Sequence, residues 1–177
     1  TERKKMGNPE LESLSREQLI GLIDIYSKNW LAMDGVWFQA VETRSGMEEA
    51  MRCDIDAWKR WTVIEARRLK DFLGLDNHPG LEGLRKALGL RFYGNLNRHE
   101  IKYEEDGALI LRNYDCRVQT ARRRGGMELH PCKRVAVYEY SLFAKEIDER
   151  IETECVSCYP DCTESETGCA WRFRLMK

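Results

Sequence analysis

The feature that most constrains this chain is a change of period near Leu90. Before it, apolar residues recur at helical spacing; after it, stretches that alternate apolar and polar interleave with shorter helical runs. In the first part, Ser15 and Gln18 have capping-box spacing ahead of Leu19, Leu22, Ile23, Tyr26, Trp30 and Met33. VWFQAVETR predicts a further helix closed at Gly46. A third, MEEAMRCDIDAWKRWTVIEARRLKDFL, begins near Met47, ends at Gly74, and carries Met47, Met51, Trp58, Leu69 and Phe72 on its apolar face, with Asp54 and Glu65 near the same stripe. Asn77 and Pro79 suit the cap and first turn of a short helix through Leu88.

In the second part, HEIKYEE and ALILRNY flank Asp106-Gly107, a strong two-residue hairpin signal. DCRVQTARRR predicts a helix stopped by Gly125-Gly126, and Pro131 opens another over CKRVAVYEYSLFAKEIDE. RIETECV and CAWRFRL then alternate as a second hairpin with a long loop. This order gives an α+β fold: N-terminal helices plus a four-stranded antiparallel sheet made of two hairpins, with helices between them. The helical part spans 1–90 and the cysteine-bearing α+β part 91–177, and at 177 residues the two are expected to form one compact domain.

Charge excludes little. The 29 basic and 30 acidic residues give no overall case for nucleic acid, although residues 115–135 carry six basic and two acidic residues and include ARRRGG. That segment is expected to face water or the acidic run at 139–166, so nucleic acid is not the expected partner. No apolar run approaches a membrane span, and no signal-peptide core follows the first residues, so a cytoplasmic protein is the expectation. Four tryptophans (Trp30, Trp37, Trp58, Trp61) sit in the N-terminal helices, where core packing is the first reading and a pocket for a flat or apolar ligand the second.

The cysteines carry the chemistry. The stretch ECVSCYPDCTESETGCAWRF holds Cys155, Cys158, Cys162 and Cys169; Cys116 follows a strand and Cys132 starts a helix. Seven cysteines cannot all pair, and in a reducing compartment they read as ligands or free thiols before bridges. Strand alternation turns Cys155 and Cys169 inward. Cys116, Cys132, Cys155 and Cys158 are the expected metal set, for zinc or an iron–sulfur cluster, with Cys169 and Cys162 in reserve and His130 as an added nitrogen. Cys132 at a helix N-terminus, beside Lys133 and Arg134, is expected to have a lowered pKa and could instead be a nucleophile. Cys53 is expected in the core. Only three histidines, His78, His99 and His130, limit histidine-based sites, and no phosphate-binding glycine loop occurs.

The segments MDGVWFQAVETRSGMEEAMRCDIDAWKRWTVIEARRLK, CRVQTARRRGG, PCK and ECVSCYPD…CAWRF resemble an uncharacterised prokaryotic family of cytosolic proteins. That family is similar to the L-2-amino-thiazoline-4-carboxylate hydrolase-like proteins. Its members carry cysteines matching Cys116, Cys132, Cys155, Cys158 and Cys169, whereas Cys162 falls in a variable insert and Cys53 outside the motifs. More distantly, the C-terminal half resembles the 4-vinyl reductase domain, whose fold is shared with haem-based nitric-oxide sensors. This implies an α+β fold that holds hydrophobic small molecules and forms a homodimer. The sequence departs from that domain in placing CYPDCTESETG where a short turn is usual. The function expected is a metal- or iron–sulfur-binding sensor or accessory module with a small hydrophobic ligand. The alternative is a small-molecule enzyme, hydrolase- or reductase-like, using a reactive cysteine or a metal-activated water.

Overall fold

The computed structural model describes residues 7–163, 165 and 167–176; Glu164 and Glu166 of the acidic run lie outside them. A short helix α1 (Pro9–Glu12) precedes α2 (Arg16–Ser45), which starts at a capping box: Gln18 N donates to Ser15 Oγ, and Ser15 N to Gln18 Oε1. The two helices expected on either side of Gly35 are one continuous helix. Gly35 keeps helical geometry, and the break comes at Gly46, whose φ of 81° ends one helix and begins the next. Helix α3 (Met47–Phe72) buries Ala50, Met51, Trp58, Thr62, Glu65 and Ala66, a stripe at helical spacing. Phe72, expected on that face, is 79% exposed because the stripe turns away before the last turn.

Helix α4 (Gly80–Leu90) begins after Pro79, and the Gly80 amide donates to Asp148 Oδ2 at 2.9 Å. A 3-10 turn (Phe92–Asn95) leads to β1 (Arg98–Tyr103) and β2 (Leu109–Asp115). Their connection is longer than the two-residue turn expected: Glu104 N bonds Ala108 O, with Gly107 at φ 82° inside. Helices α5 (Arg117–Arg124) and α6 (Lys133–Ile147) follow, then β3 (Ile151–Ser157) and β4 (Cys169–Leu175). The α+β class and the four-stranded antiparallel sheet are as the sequence indicated, in the order β1-β2-β4-β3.

That order places the inner strands β2 and β4 side by side, with Leu111 opposite Trp171 and Leu109 opposite Phe173. These four residues share a core with Phe143, Ala144 and Ile147 of α6, Ala66 of α3, and Leu84 and Leu88 of α4. Burying each large side chain there is worth about 1.5–3 kcal/mol. The opposite face of the sheet carries ion pairs, such as Arg174 to Asp106 and Glu154. A second cluster of Phe38, Met51, Trp58 and Val135 joins α2 and α3 to the start of α6. Among the described residues no helix is long and apolar enough to cross a membrane.

Candidate functional site

Between these two clusters lies a cavity of about 640 Å³, within the usual range for small-molecule sites. One wall is sulfur: Cys116, Cys132, Cys158 and Cys169 all line it. They arrive from separate elements, and backbone ties bring them together. Asn113 of β2 pairs with Cys169 of β4, and the Cys116 amide donates to Thr167 O at 2.7 Å, which joins the end of β2 to the start of β4. The Lys133 amide donates to Tyr159 O at 2.9 Å, so the first turn of α6, carrying Cys132, is fixed to the Cys158 loop. A register shift between Cys155 and Ser157 carries the chain into that loop.

Of the expected set, Cys116, Cys132 and Cys158 therefore face one space, and the reserve Cys169 joins them. Cys155 lies beside Cys158 and packs against the same core, while Cys162 is not among the cavity residues. All seven cysteines are free of disulfides. Cys53, expected in the core, is exposed: it sits on the side of α3 away from the stripe through Met51 and Trp58.

Each sulfur has polar neighbours. Hydrogen bonding of Cys158 with Cys155 first, and then with Cys169, raises the pKa of Cys158 and lowers those of its two partners. Asn113 Nδ2 donates to Cys169 Sγ at 3.2 Å, and Gln119 Nε2 to Cys132 Sγ at 3.3 Å. Burial, followed by the neighbouring thiol Cys169, pushes Cys116 up to about 11. Cys132 is also raised well above the ordinary thiol value, by burial first and then by Cys116 and Cys169. The expected lowering is absent because desolvation and adjacent sulfurs outweigh the helix terminus and Lys133. Lys133 is spent on Asp161, at 2.7 Å.

His130, 7% exposed, links the sulfur wall to the acids of the cavity. Its Nδ1 lies 3.2 Å from Cys132 Sγ and its Nε2 3.2 Å from Asp54 Oδ2. A carboxylate at Nε2 holds the proton there and leaves Nδ1 to accept from the thiol. Apart from Asp115, next to Cys116, three carboxylates line the cavity as an acidic wall: Asp34 of α2, Asp54 of α3 and Glu139 of α6. Glu139 is bonded to Arg91 at 2.7 Å, and Arg91 also donates to Glu65 at 2.8 Å. Asp34 has no hydrogen-bond or ion-pair partner among the described residues. Burial, then Asp54 and Glu139, raise its pKa to about 7. Of the four helical tryptophans only Trp58 lines the cavity; Trp30 and Trp61 stack on each other at 4.5 Å, and Trp37 is 66% exposed.

Sequence reading missed Asp34, Asn113 and Gln119. A carboxylate at Asp54, on an otherwise apolar helical stripe, was the available signal for this wall; Asp34 gave none, because the apolar residues of α2, among them Ile20, Ile23, Ile25 and Val36, are spread around the helix. The basic segment is largely committed to pairs: Arg122 to Glu42 at 2.7 Å and Arg134 to Glu48 at 2.7 Å, besides Lys133. Among the described residues no group of three or more histidine, cysteine or acidic side chains stands at metal-holding geometry. Four of the cysteines, Cys116, Cys132, Cys158 and Cys169, share the cavity without a disulfide between them. The chain belongs to a protein family of unknown function, DUF6125, whose model matches residues 12–175. No curated protein matches it.

Proposed function

We propose that this DUF6125 protein is a small-molecule-binding module whose cavity floor is a cysteine-ligated centre, zinc or an iron–sulfur cluster. Cys116, Cys132, Cys155 and Cys158 would hold it, with Cys169 as an adjacent fifth sulfur. The observation that carries the reading is the convergence of Cys116, Cys132, Cys158 and Cys169, from four separate stretches of chain, on one cavity without a disulfide, with Cys155 beside Cys158. Burial keeps Cys116 and Cys132 protonated, and hydrogen bonds with Cys155 and Cys169 keep Cys158 so, and a soft cation would enter by displacing their protons. The Asn113 and Gln119 amides donate to sulfur and would orient it and temper its charge. When bound, such a centre supplies an electrophilic or redox-active surface to the occupant of the cavity. So many unbridged thiols suit a reducing, cytosolic setting.

One specific arrangement supports a second reading, a thiol enzyme. The chain Asp54–His130–Cys132 has the order of an oriented base beside a nucleophile, and it opens onto the cavity.

One experiment separates the two: metal analysis and absorption spectra of anaerobically purified protein, followed by iodoacetamide mapping. The metal reading expects stoichiometric zinc or iron and protection of the cavity thiols until chelator is added. Metal-free protein in which Cys132 is alkylated far ahead of its neighbours would transfer the case to the enzyme. Metal-free protein with uniformly inert cavity thiols would sink both.

A further inference from the structure

The cavity's unmet polar groups say what kind of molecule it takes. Asp34 is the first: its carboxylate faces the cavity with no cationic or hydrogen-bonding partner among the described residues, whereas Asp54 has His130 and Glu139 has Arg91. A carboxylate so placed repels its two acidic neighbours and lacks full hydration, and a cation beside it relieves both costs. The second observation is independent. Asn113 and Tyr140 are only 7% and 6% exposed and line the same cavity. Asn113 Nδ2 is used on Tyr140 Oη at 3.4 Å and on Cys169, but no described residue donates to Asn113 Oδ1 or accepts the Tyr140 hydroxyl proton. Buried polar groups with capacity left over in a roomy cavity point to an occupant. Third, Trp58 and Tyr93 lie nearly parallel, 6.2 Å between ring centroids, and both line the space. Aromatic rings of this kind receive a flat body and also favour an adjacent positive charge.

We infer that the cavity takes a small aromatic or apolar molecule bearing one protonated nitrogen, with Asp34 as its counter-ion and the Trp58–Tyr93 pair against its body. This rests on reading the cavity as a ligand site, and not on the thiols holding a metal. The rim supplies a real competitor, since the exposed Arg117 and Arg124 would favour an anion instead.

The test uses the full chain and three probes of one shape: phenethylamine, 2-phenylethanol and 3-phenylpropionate, titrated at pH 8 by calorimetry. Phenethylamine is expected to bind at one site, about tenfold or more tighter than the alcohol. Asp34→Asn is expected to remove that advantage, so that amine and alcohol bind alike; circular dichroism verifies the fold, in which the Asp34 side chain bonds to none of the described residues. A preference for the carboxylate or the alcohol, an amine advantage that survives Asp34→Asn, or no binding of any probe would overturn the inference. Repeating the titration after chelator treatment keeps it apart from the metal centre. Amine binding by metal-free protein supports the ligand class even where the metal reading fails.

Discussion

The two walls of the cavity are built on different principles. The sulfur wall comes from the ends of elements between Cys116 and Cys169, held by backbone bonds such as Cys116 N to Thr167 O and Lys133 N to Tyr159 O. The carboxylate wall comes from the interiors of three helices, where each acid is placed by its position along a packed face. Every cavity sulfur has polar or thiol neighbours, such as Asn113 for Cys169 and Gln119 for Cys132. On the acidic wall two of three groups are already matched, by His130 and Arg91, and one is not. Thus one wall is a set of thiols bonded to their neighbours, and the other leaves Asp34 without a partner among the described residues.

The largest effect should come from breaking the sulfur wall at its centre. Cys158 is 1% exposed and its thiol joins Cys155 to Cys169, whereas Cys162 is outside the cavity. Cys158→Ser is expected to lose nearly all metal from anaerobically purified protein, and Cys162→Ser to retain it. Folded Cys158→Ser with a full complement of metal would show that the sulfurs are not a shared site.

The contrast between the walls also explains what was legible in the sequence. Period alone gave both hairpins and the helices around them, because burying one face imposes a spacing of two or of 3.6 residues. The same alternation turned Cys155 and Cys169 inward, and position at element ends brought Cys116 and Cys132 into consideration. Cys169 was underrated because its access to the cavity depends on β2 and β4 being neighbours, which hairpins read separately do not reveal. Cys53 was misplaced because α3 buries only one stripe and a cysteine fits either side of it. Asp34 was invisible for a related reason. In a helix whose apolar residues are spread around its axis, nothing in the spacing marks which side meets a cavity, and the repulsion that distinguishes Asp34 comes from Asp54 and Glu139, distant in sequence. The direction of the Cys132 shift likewise needs its neighbours' positions, since local charge argued the other way.

The matched part of the acidic wall can be broken next. Arg91 is 3% exposed, lies between Glu65 and Glu139, and sits over the Phe143 ring at 4.7 Å. Arg91→Met would strand two buried carboxylates. Urea unfolding at pH 7 is expected to show a loss of about 3–5 kcal/mol, as for breaking a buried ion pair from one side. Adding Glu65→Gln and Glu139→Gln should recover much of it. A single variant as stable as the parent would mean that water, rather than Arg91, satisfies those acids.

The smallest effect, and the one that sharpens the comparison most, comes from the unmatched acid. In the folded chain burial, and then the charges of Asp54 and Glu139, raise Asp34 from the ordinary carboxyl value of 3.8 to about 7. Folded protein therefore binds more protons than unfolded protein between those values. The stability associated with protonated Asp34 is complete below about pH 3.8 and is lost as pH rises through 7. Asp34→Asn removes that loss. The variant is expected to match the parent in urea near pH 4 and to exceed it by about 2 kcal/mol at pH 8, a figure below the full linkage value because the side chain is partly solvated. The groups facing Asp34 include Asp54, Glu139 and the Tyr93 hydroxyl, and Asp54 is tied to His130, so Asp54→Asn should narrow the gap by weakening the repulsion. A constant difference between Asp34→Asn and parent across this range would break the contrast, because Asp34 would then be no less satisfied than its neighbours.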